Sequence, residues 1–352
     1  MSPTEPAGDA GPADPAPIDV RDLREDDVDA VVDLLGRALG PGPGGADRRD
    51  LFVWKHMRNP FGPSVALVAE SGGRLVGVRT FLRWRFAVPG GHGQVAAVRA
   101  VDTATDPEVQ RRGVFSSLTL LGLERCREEG IAFVFNTPNS KSLPGYLKMG
   151  WREVTRWPML LRVRHPGRMA GAAIRRNLRS GDPVDPPADG LPPAADVLDR
   201  SGVREAVAAS APPSGLATPR SLEYLRWRYA DGPLPYRALL EPGPAPALLV
   251  ARIRARGSLT EAVVCEALGE PATLARLLRE LPRAAGADHA VAHTGPGSPA
   301  FGAYRKAGYR RLPRAGMTFV VRRVDDVPLP EGAPDPLAAG SWSLSLGDLE
   351  LF

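Results

Sequence analysis

Residues 95–129 limit the possible folds most, because they predict a strand that runs through a short basic turn into a helix. Val95 to Thr105 is rich in β-branched and small residues and ends at Asp106-Pro107, where proline removes a ladder donor. Beyond the turn, apolar residues recur at helical spacing from Val114 onward, and Gly130 can cap the end. The stretch therefore predicts a strand, a turn and an amphipathic helix in direct succession.

The turn between these two elements contains Gln110, Arg111, Arg112 and Gly113. The first amides of a helix have no intrahelical partner and lie at the positive end of the helix dipole, so they can hold phosphate oxygens. Gly113 lets the backbone approach such a group, and the two arginines add permanently charged, fork-shaped donors. The turn alone is equally compatible with a solvated basic loop.

This stretch resembles motif A of the Gcn5-related N-acetyltransferase (GNAT) superfamily, Gln/Arg-x-x-Gly-x-Gly/Ala. The match lies at Gln110, Gly113 and the lead-in Thr105-Asp106-Pro107. Phe115 departs from the motif, which has glycine or alanine at that place. Branches of the superfamily that resemble the Eis-type acetyltransferases also carry a bulky apolar residue there.

A second likeness lies downstream and resembles motif B of the same superfamily. An apolar strand is followed by Asn139, by Tyr146 seven residues later, and then by Lys148-x-Gly150-Trp151. Two motifs in the right order and at the right separation are far more specific than either motif alone. The resemblance covers residues 18–160.

The resemblance implies that acetyl-CoA is the acyl donor and that its pyrophosphate binds the motif A turn. It also implies that backbone amides near 103–105 meet the acetyl carbonyl, that Asn139 contacts the pantetheine arm, and that Tyr146 protonates the leaving sulfur. Together these expectations give a cofactor-binding set of Thr103, Ala104, Thr105, Gln110, Arg111, Arg112, Gly113, Val114, Phe115, Ser116 and Asn139.

Acetyl transfer also needs a neutral amine as the attacking group, and hence a base. We predict Asp102, with Tyr146 as the other catalytic residue, because Asp102 is the only carboxylate inside the strand. Burial would raise the pKa of Asp102 and suit it to this task, but Asp102 could equally orient Arg99 or cap the turn. His56, a water relay, or a terminal carboxylate at Phe352, as Eis-like relatives use, are alternatives.

Short motifs of the first half of the sequence recur in the second half, and the 352 residues are enough for two domains. Trp54-Lys55 recurs as Trp227-Arg228 with the same spacing to a following proline, and Tyr146-x-Lys148-x-Gly150 recurs as Tyr304-x-Lys306-x-Gly308. We therefore predict an α/β fold of two tandem GNAT-like domains, each with a mixed, mostly antiparallel twisted sheet flanked by helices.

The second copy differs from the first at the places that matter for a cofactor. No Gln-x-x-Gly turn precedes its helix, Gly297 stands where Asn139 would be, and an anionic Glu270 would repel a pyrophosphate. We predict that this copy has lost cofactor binding. The predicted organisation is a disordered tail at 1–16, an N-terminal GNAT domain at 17–165, a basic helix and proline-rich linker at 166–196, a degenerate GNAT-like domain at 197–326, and a tail at 327–352 ending in a strand.

Composition limits the cellular context. Hydrophobic content of 43% and charged content of 24% are typical of a soluble globular protein, and the net charge of +5 does not indicate nucleic acid. No apolar run approaches the ~20 residues of a membrane span and no signal peptide is evident, so we expect a cytoplasmic protein. Cys126 and Cys265 predict two free thiols, and no cluster has zinc-ligand spacing, so no metal is expected.

The sequence thus predicts a CoA-dependent N-acetyltransferase that acts on a primary amine of a small molecule or sugar. Two alternatives stay open. Tandem GNAT-like domains also occur in FemABX-type aminoacyl transferases, which use charged tRNA, although an intact pyrophosphate turn favours CoA. A non-catalytic acyl-CoA-binding or scaffold protein is compatible with Phe115 and with a degenerate second copy.

Overall fold

The computed structural model describes residues 16–91, 93–174, 185–186, 188 and 190–349. Its strands form one continuous mixed sheet. In chain order they are β1 (Asp19–Asp22), β2 (Val65–Ser71), β3 (Arg74–Ala87), β4 (Gln94–Thr105), β5 (Phe133–Asn136), β6 (Arg152–Val163), β7 (Tyr236–Glu241), β8 (Ala247–Arg256), β9 (Leu259–Gly269), β10 (His289–His293) and β11 (Arg310–Arg323).

Helices flank this sheet. They are α1 (Val28–Leu39), α2 (Arg48–His56), α3 (Val114–Glu128), α4 (Leu143–Lys148), α5 (Pro166–Ile174), α6 (Ala194–Leu198), α7 (Gly202–Ala208), α8 (Leu222–Tyr229), α9 (Pro271–Ala284), α10 (Phe301–Lys306) and α11 (Leu346–Leu349). None of the helices in the described part of the chain has the length and apolar composition needed to cross a membrane. The predicted α/β class, with a large mixed sheet between helices, is confirmed.

The strand order is nearly symmetric about the centre of the sheet: β1-β2-β3-β4-β5-β11-β6-β10-β9-β8-β7. The last strand of each half lies against the other half, because β11 pairs with β5 and β6 pairs with β10. β6 and β11 then pair with each other and join the two halves. The predicted boundaries at 165 and 197 divide the chain by sequence position. In the structure, the exchanged strands β6 and β11 join the two halves into one sheet.

The two repeated tryptophans meet at the junction between the halves. Their rings stack with centroids 5.1 Å apart at 25°. Trp54 Nε1 on α2 donates to the Trp227 carbonyl at 2.7 Å, and Trp227 Nε1 on α8 donates to the Trp54 carbonyl at 3.1 Å. A reciprocal contact of this kind is what a two-fold relation between like units produces, so it supports the predicted duplication.

The central strand, turn and helix form as predicted. β4 ends at Thr105, and α3 is followed by Gly130, which adopts the left-handed φ of 69° that a C-terminal cap requires. Val114, Leu118 and Cys126 on α3 are buried against the sheet. Burial of Val114 and Leu118 stabilises the fold by about 1.5–3 kcal/mol each, which fixes the start of α3 beside the end of β4.

The predicted strand in the C-terminal tail is wrong for the residues that the structure describes. Residues 342–345 are extended but make only a bridge between Trp342 and Leu216, and α11 follows. The alternation of apolar residues arises because Trp342, Leu344 and Leu346 are buried against the core. The predicted disordered segment up to residue 15, linker residues 175–184 and Phe352 lie outside the described residues.

Candidate active site

A cleft opens where β4 and β5 separate. The two strands pair in parallel only at Ala97–Arg99 opposite Phe133–Phe135. β4 then carries a bulge opposite β3, and Asp102 in the bulge adopts a φ of 39°. The space between the diverging strands has a volume of about 990 Å³. We call it the first cleft.

The predicted site residues fall into two groups around the first cleft. Those that line it are Asp102, Thr103, Ala104, Thr105, Gln110, Phe115, Asn139 and Tyr146. Arg111, Arg112, Gly113 and Ser116 are exposed at the adjoining turn, and the Val114 side chain is buried in the core. Only the backbone of Val114 could therefore serve a ligand.

The turn before α3 has the backbone shape of an anion site. Arg111 and Gly113 both adopt left-handed φ values, of 67° and 79°, and such turns point successive amides toward a common centre. No side chain caps the helix, and the space that a Cβ on Gly113 would occupy is open. The first amides of α3 are thus free of a side-chain cap and can take phosphate oxygens.

Tyr146 lies on the opposite wall, on α4. It is 6% exposed, and its hydroxyl oxygen accepts a hydrogen bond from Arg79 Nη1 at 2.8 Å. Phe115 lies edge-on to the Tyr146 ring, with centroids 6.0 Å apart. The bulky residue that departs from motif A therefore packs against the tyrosine and forms part of its surroundings.

Asn139 has a structural task beside the one predicted for it. Its Oδ1 accepts hydrogen bonds from the backbone amides of Lys141 and Ser142, each at 3.0 Å, and so shapes the loop that leads into α4. Its role toward a pantetheine arm stays a prediction. Asn136, at the end of β5, lines the cleft as well, and its buried Oδ1 has no hydrogen-bond partner.

Asp102 is part of a buried charged cluster. Its Oδ2 lies 2.5 Å from Lys55 Nζ and 2.9 Å from His56 Nε2, and His56 Nδ1 lies 2.8 Å from Ser64 Oγ. Lys55 and His56 are nearly inaccessible, at 1% and 3% exposed. The two basic side chains come from the end of α2, so α2 and β4 together build the cluster.

The predicted raised pKa of Asp102 is wrong. Burial acts to raise it, but the Lys55 ammonium and the His56 ring outweigh burial and hold the pKa of Asp102 well below its usual range. Burial also lowers the pKa of His56 and of Lys55, and neighbouring cations add to this, so both values stay below their ordinary ones in spite of Asp102. Asp102 is therefore ionised, and its partners are Lys55 and His56 rather than Arg99.

Arg99 holds the C-terminal tail at the rim of the cleft. Its Nη1 donates to the Asp348 carbonyl at 2.8 Å, and its Nη2 donates to the carbonyl of Leu349. Leu349 is one of the residues that line the first cleft. The role predicted for the Phe352 carboxylate stays a prediction.

Comparisons with known proteins identify a related domain family and related folds. The profile of the acetyltransferase (GNAT) domain family matches residues 19–154. By this match, residues 19–154 form an acetyltransferase (GNAT) domain. No curated protein sequence matches the chain.

Solved structures share the fold over most of the chain. A GCN5-related N-acetyltransferase from Anabaena variabilis has a TM-score of 0.59 at 11% identity, covering 88% of this chain and 73% of that one. One from Kribbella flavida has 0.56 at 20% identity, with 88% and 72% covered. Eis1 from Mycobacterium abscessus has 0.52 at 16% identity, with 88% and 74% covered. At these identities the likeness shows the fold alone.

The other half of the molecule has a smaller cleft at the matching place. β9 and β10 pair in parallel at Glu261–Val264 and His289–Ala292 and then separate, again beside a bulge. The space between them is about 270 Å³, and we call it the second cleft. Tail residues Ser343–Ser345 form part of its wall.

The helix that begins at the second cleft is already capped. Glu270 accepts hydrogen bonds from the Ala272 and Thr273 amides, at 2.7 and 2.9 Å, and so occupies the donors that a phosphate would use. Glu266, deeper in the cleft, is held by Arg220 at 3.0 Å and by the Tyr229 hydroxyl at 2.9 Å. These contacts give a physical reason for the predicted loss of cofactor binding in this half.

Sequence reasoning missed Lys55, Ser64, Arg79 and Asn136 as residues in or next to the first cleft. Arg79 did carry a signal, because it is a lone charge inside the apolar run Val76–Leu82 of a strand paired on both sides. Ser64 carried none, since an isolated serine after a proline is ordinary loop sequence. The two predicted free thiols, Cys126 and Cys265, are confirmed.

No three metal-binding side chains within the described ranges lie close enough together to hold an ion. The predicted absence of a metal and the predicted cytoplasmic location stay predictions.

Proposed function

We propose that this protein transfers an acetyl group from acetyl-CoA to a primary amine of a small molecule or sugar. The observation that carries the proposal is the first cleft itself, which joins an uncapped helix N-terminus at Gly113 to a buried tyrosine at Tyr146 across two separating strands. The CoA pyrophosphate would lie on the turn at 110–113, and the thioester would lie between β4 and Tyr146.

The chemistry follows from the groups on the two walls. The amine lone pair attacks the acetyl carbonyl carbon, and the backbone amides of 103–105, none of which pairs with β5, would stabilise the oxyanion. The carbon–sulfur bond then breaks with its electron pair on sulfur. Tyr146 gives its hydroxyl proton to that sulfur and is reprotonated from solvent, so the products are an amide and CoA.

We assign the amine proton to the pair formed by Asp102 and His56. Asp102 is ionised and lines the cleft, and behind it stands His56, which is neutral near pH 7 because burial lowers its pKa. Asp102 takes the proton, directly or through one water, and the neutral His56 ring, whose Nε2 lies 2.9 Å away, orients the carboxylate by donating to it. The low pKa makes Asp102 a weak base, so it passes the proton on to solvent.

A coupled assay tests the proposal. The protein is mixed with acetyl-CoA and a panel of amino sugars, aminoglycosides, polyamines and peptides, and free CoA thiol is measured together with the mass of the acetylated product. We expect thiol release that depends on both substrates. Binding of acetyl-CoA without turnover, also with longer acyl-CoA donors, would favour the scaffold alternative. No binding would favour a charged-tRNA donor.

A further inference from the structure

A buried arginine stands behind the catalytic wall of the first cleft. Arg79, on β3, is 0% exposed. Its Nη1 donates to Thr103 Oγ1 at 2.6 Å and to the Tyr146 hydroxyl at 2.8 Å. Its Nε and Nη2 have no hydrogen-bond partner.

No carboxylate in the described part of the chain forms an ion pair with Arg79. Instead, three aromatic rings surround its guanidinium, with centroids 4.7 Å away for Phe81, 5.3 Å for Phe115 and 5.2 Å for Tyr146. Ring faces attract a cation but replace its hydration only in part. A buried charge with two idle donors is costly for stability, and such conflicts are typical of functional sites.

The direction of the hydrogen bond between Arg79 and Tyr146 decides where the tyrosine proton points. A guanidinium donates and cannot accept, so the Tyr146 oxygen is the acceptor in this contact. The hydroxyl proton must therefore point away from Arg79. Tyr146 lines the first cleft, and Arg79 is not among the residues that line it.

We propose that Arg79 is the positioning residue for proton transfer in this protein, because it holds the Tyr146 hydroxyl with its proton directed at the sulfur of the acyl donor. This inference rests on the proposed acetyl transfer. As the carbon–sulfur bond breaks, the electron pair goes to sulfur and the Tyr146 proton follows it. The guanidinium remains charged throughout and stabilises the negative charge that passes briefly to the tyrosine oxygen.

The second half lacks this device, which is consistent with a dedicated role in the first. The bulge in β4 follows Val101, which pairs with Thr80 of β3, and the matching bulge in β9 follows Val264, which pairs with Ala251 of β8. The residue before Thr80 on β3 is Arg79, whereas the residue before Ala251 on β8 is Val250. A repeated structural need would keep an arginine at both places.

The test combines Arg79→Gln, Arg79→Lys and Tyr146→Phe with the double variant Arg79→Gln/Tyr146→Phe. We expect Arg79→Gln to lower kcat by about 100-fold with KM for acetyl-CoA within about twofold, and Arg79→Lys to lower kcat by about tenfold. In the Tyr146→Phe background, Arg79→Gln should lower kcat by a further factor of less than about three, because Arg79 acts through the tyrosine. Thermal unfolding shows which variants fold. If Arg79→Gln does not fold, Arg79→Lys replaces it in the test.

Arg322→Gln is the matched control. Arg322 also lies over an aromatic ring, that of Trp151 at 5.6 Å, and donates to a backbone carbonyl, but it does not touch Tyr146 or line the first cleft. We expect its kcat to stay within about twofold of wild type. An equal loss in Arg322→Gln, fully additive losses in the double variant, or a wild-type kcat in Arg79→Gln would overturn the inference.

A binding measurement separates this inference from the proposed function. Near pH 9 a large share of free CoA thiol is ionised, and Tyr146 can donate to the thiolate but not equally to the thioester. Arg79→Gln and Tyr146→Phe should each weaken binding of CoA by about tenfold relative to acetyl-CoA, without adding in the double variant. An unchanged ratio contradicts the role of Arg79, whereas absence of turnover in wild type with any amine contradicts only the proposed transfer.

Discussion

The two clefts of this protein are built on the same frame and differ in their charges and in their free donors. In the first, α3 begins at an uncapped Gly113, and a buried cation, Arg79, lies behind the wall. In the second, α9 begins at Glu270, whose carboxylate occupies the first amides, and a buried carboxylate, Glu266, faces the space. The frame provides a cleft, but a few side chains decide whether it can accept an anion.

The comparison also shows that the halves are structurally dependent although their clefts differ. Each half gives its last strand to the other, and the stacked Trp54 and Trp227 join α2 to α8. The half with the smaller cleft thus supports the half with the larger one through the shared core. It also provides Arg220, which fixes Asp348 at 2.8 Å just before the tail reaches the first cleft.

The largest effect on stability is expected from Trp227→Ala. This change leaves a buried cavity and removes both the ring stacking and the hydrogen bond from the Trp227 indole to the Trp54 carbonyl. The free energy of unfolding should therefore fall by about 3–5 kcal/mol. Urea unfolding followed by far-UV circular dichroism and by acetyl-CoA binding should show one shared transition that moves as a whole. Two separate transitions, with only the second half shifted, would break the idea of a common core.

The next effect concerns activity and contrasts Tyr146 with its repeat Tyr304. Tyr146→Phe removes the proposed proton donor and should lower kcat by about 100-fold, while the melting temperature stays close to that of wild type. Tyr304→Phe, at the matching place of the second cleft, should leave kcat within about twofold. Steady-state kinetics on both variants checks this. An equal loss of kcat in the two variants would contradict the assignment of catalysis to the first cleft alone.

A third prediction uses pH to probe the cluster of Asp102, Lys55 and His56. Burial lowers the pKa of His56 in the folded protein below the ordinary value of about 6.5. Below that pH the unfolded chain takes up a proton that the folded chain refuses, so stability falls, by at most about 1.4 kcal/mol per pH unit. Unfolding curves between about pH 7 and pH 5 should show this slope in wild type and a weaker slope in His56→Gln.

The smallest effect is expected from Glu270→Ala. Loss of a side-chain cap should cost about 1 kcal/mol of stability. It should not create a second acetyl-CoA site, because the second cleft is still small and still lined by the Glu266 carboxylate and the tail residues Ser343–Ser345. Calorimetric titration should give the same number of sites in wild type and variant, and a second site would show that Glu270 alone had closed it.

The local sequence predicted more of the fold than of the site. The strand, turn and helix around Gly113 follow from proline, glycine and apolar spacing, which act within a few residues. The exchange of β6 and β11 could not be predicted, since it depends on pairing between residues far apart in the chain. The same holds for the pKa of Asp102, which Lys55 and His56 lower from a separate helix. It also holds for the proposed role of Arg79, which depends on its contact with Tyr146, a residue far away in the chain.

The most direct test of the central claim is thermal unfolding with and without acetyl-CoA for wild type, Gly113→Glu and Gly130→Glu. Gly113 and Gly130 flank the same helix, adopt similar φ values of 79° and 69°, and have open space at Cβ, so the two changes match in strain and charge. Acetyl-CoA at about one hundred times its Kd should stabilise the protein by about 2.7 kcal/mol, or several degrees at about 2–4 °C per kcal/mol.

We predict that wild type and Gly130→Glu keep this rise and that Gly113→Glu loses it, because only residue 113 lies at the end of α3 that would hold the pyrophosphate. An equal rise in all three proteins would contradict acetyl-CoA binding at this turn.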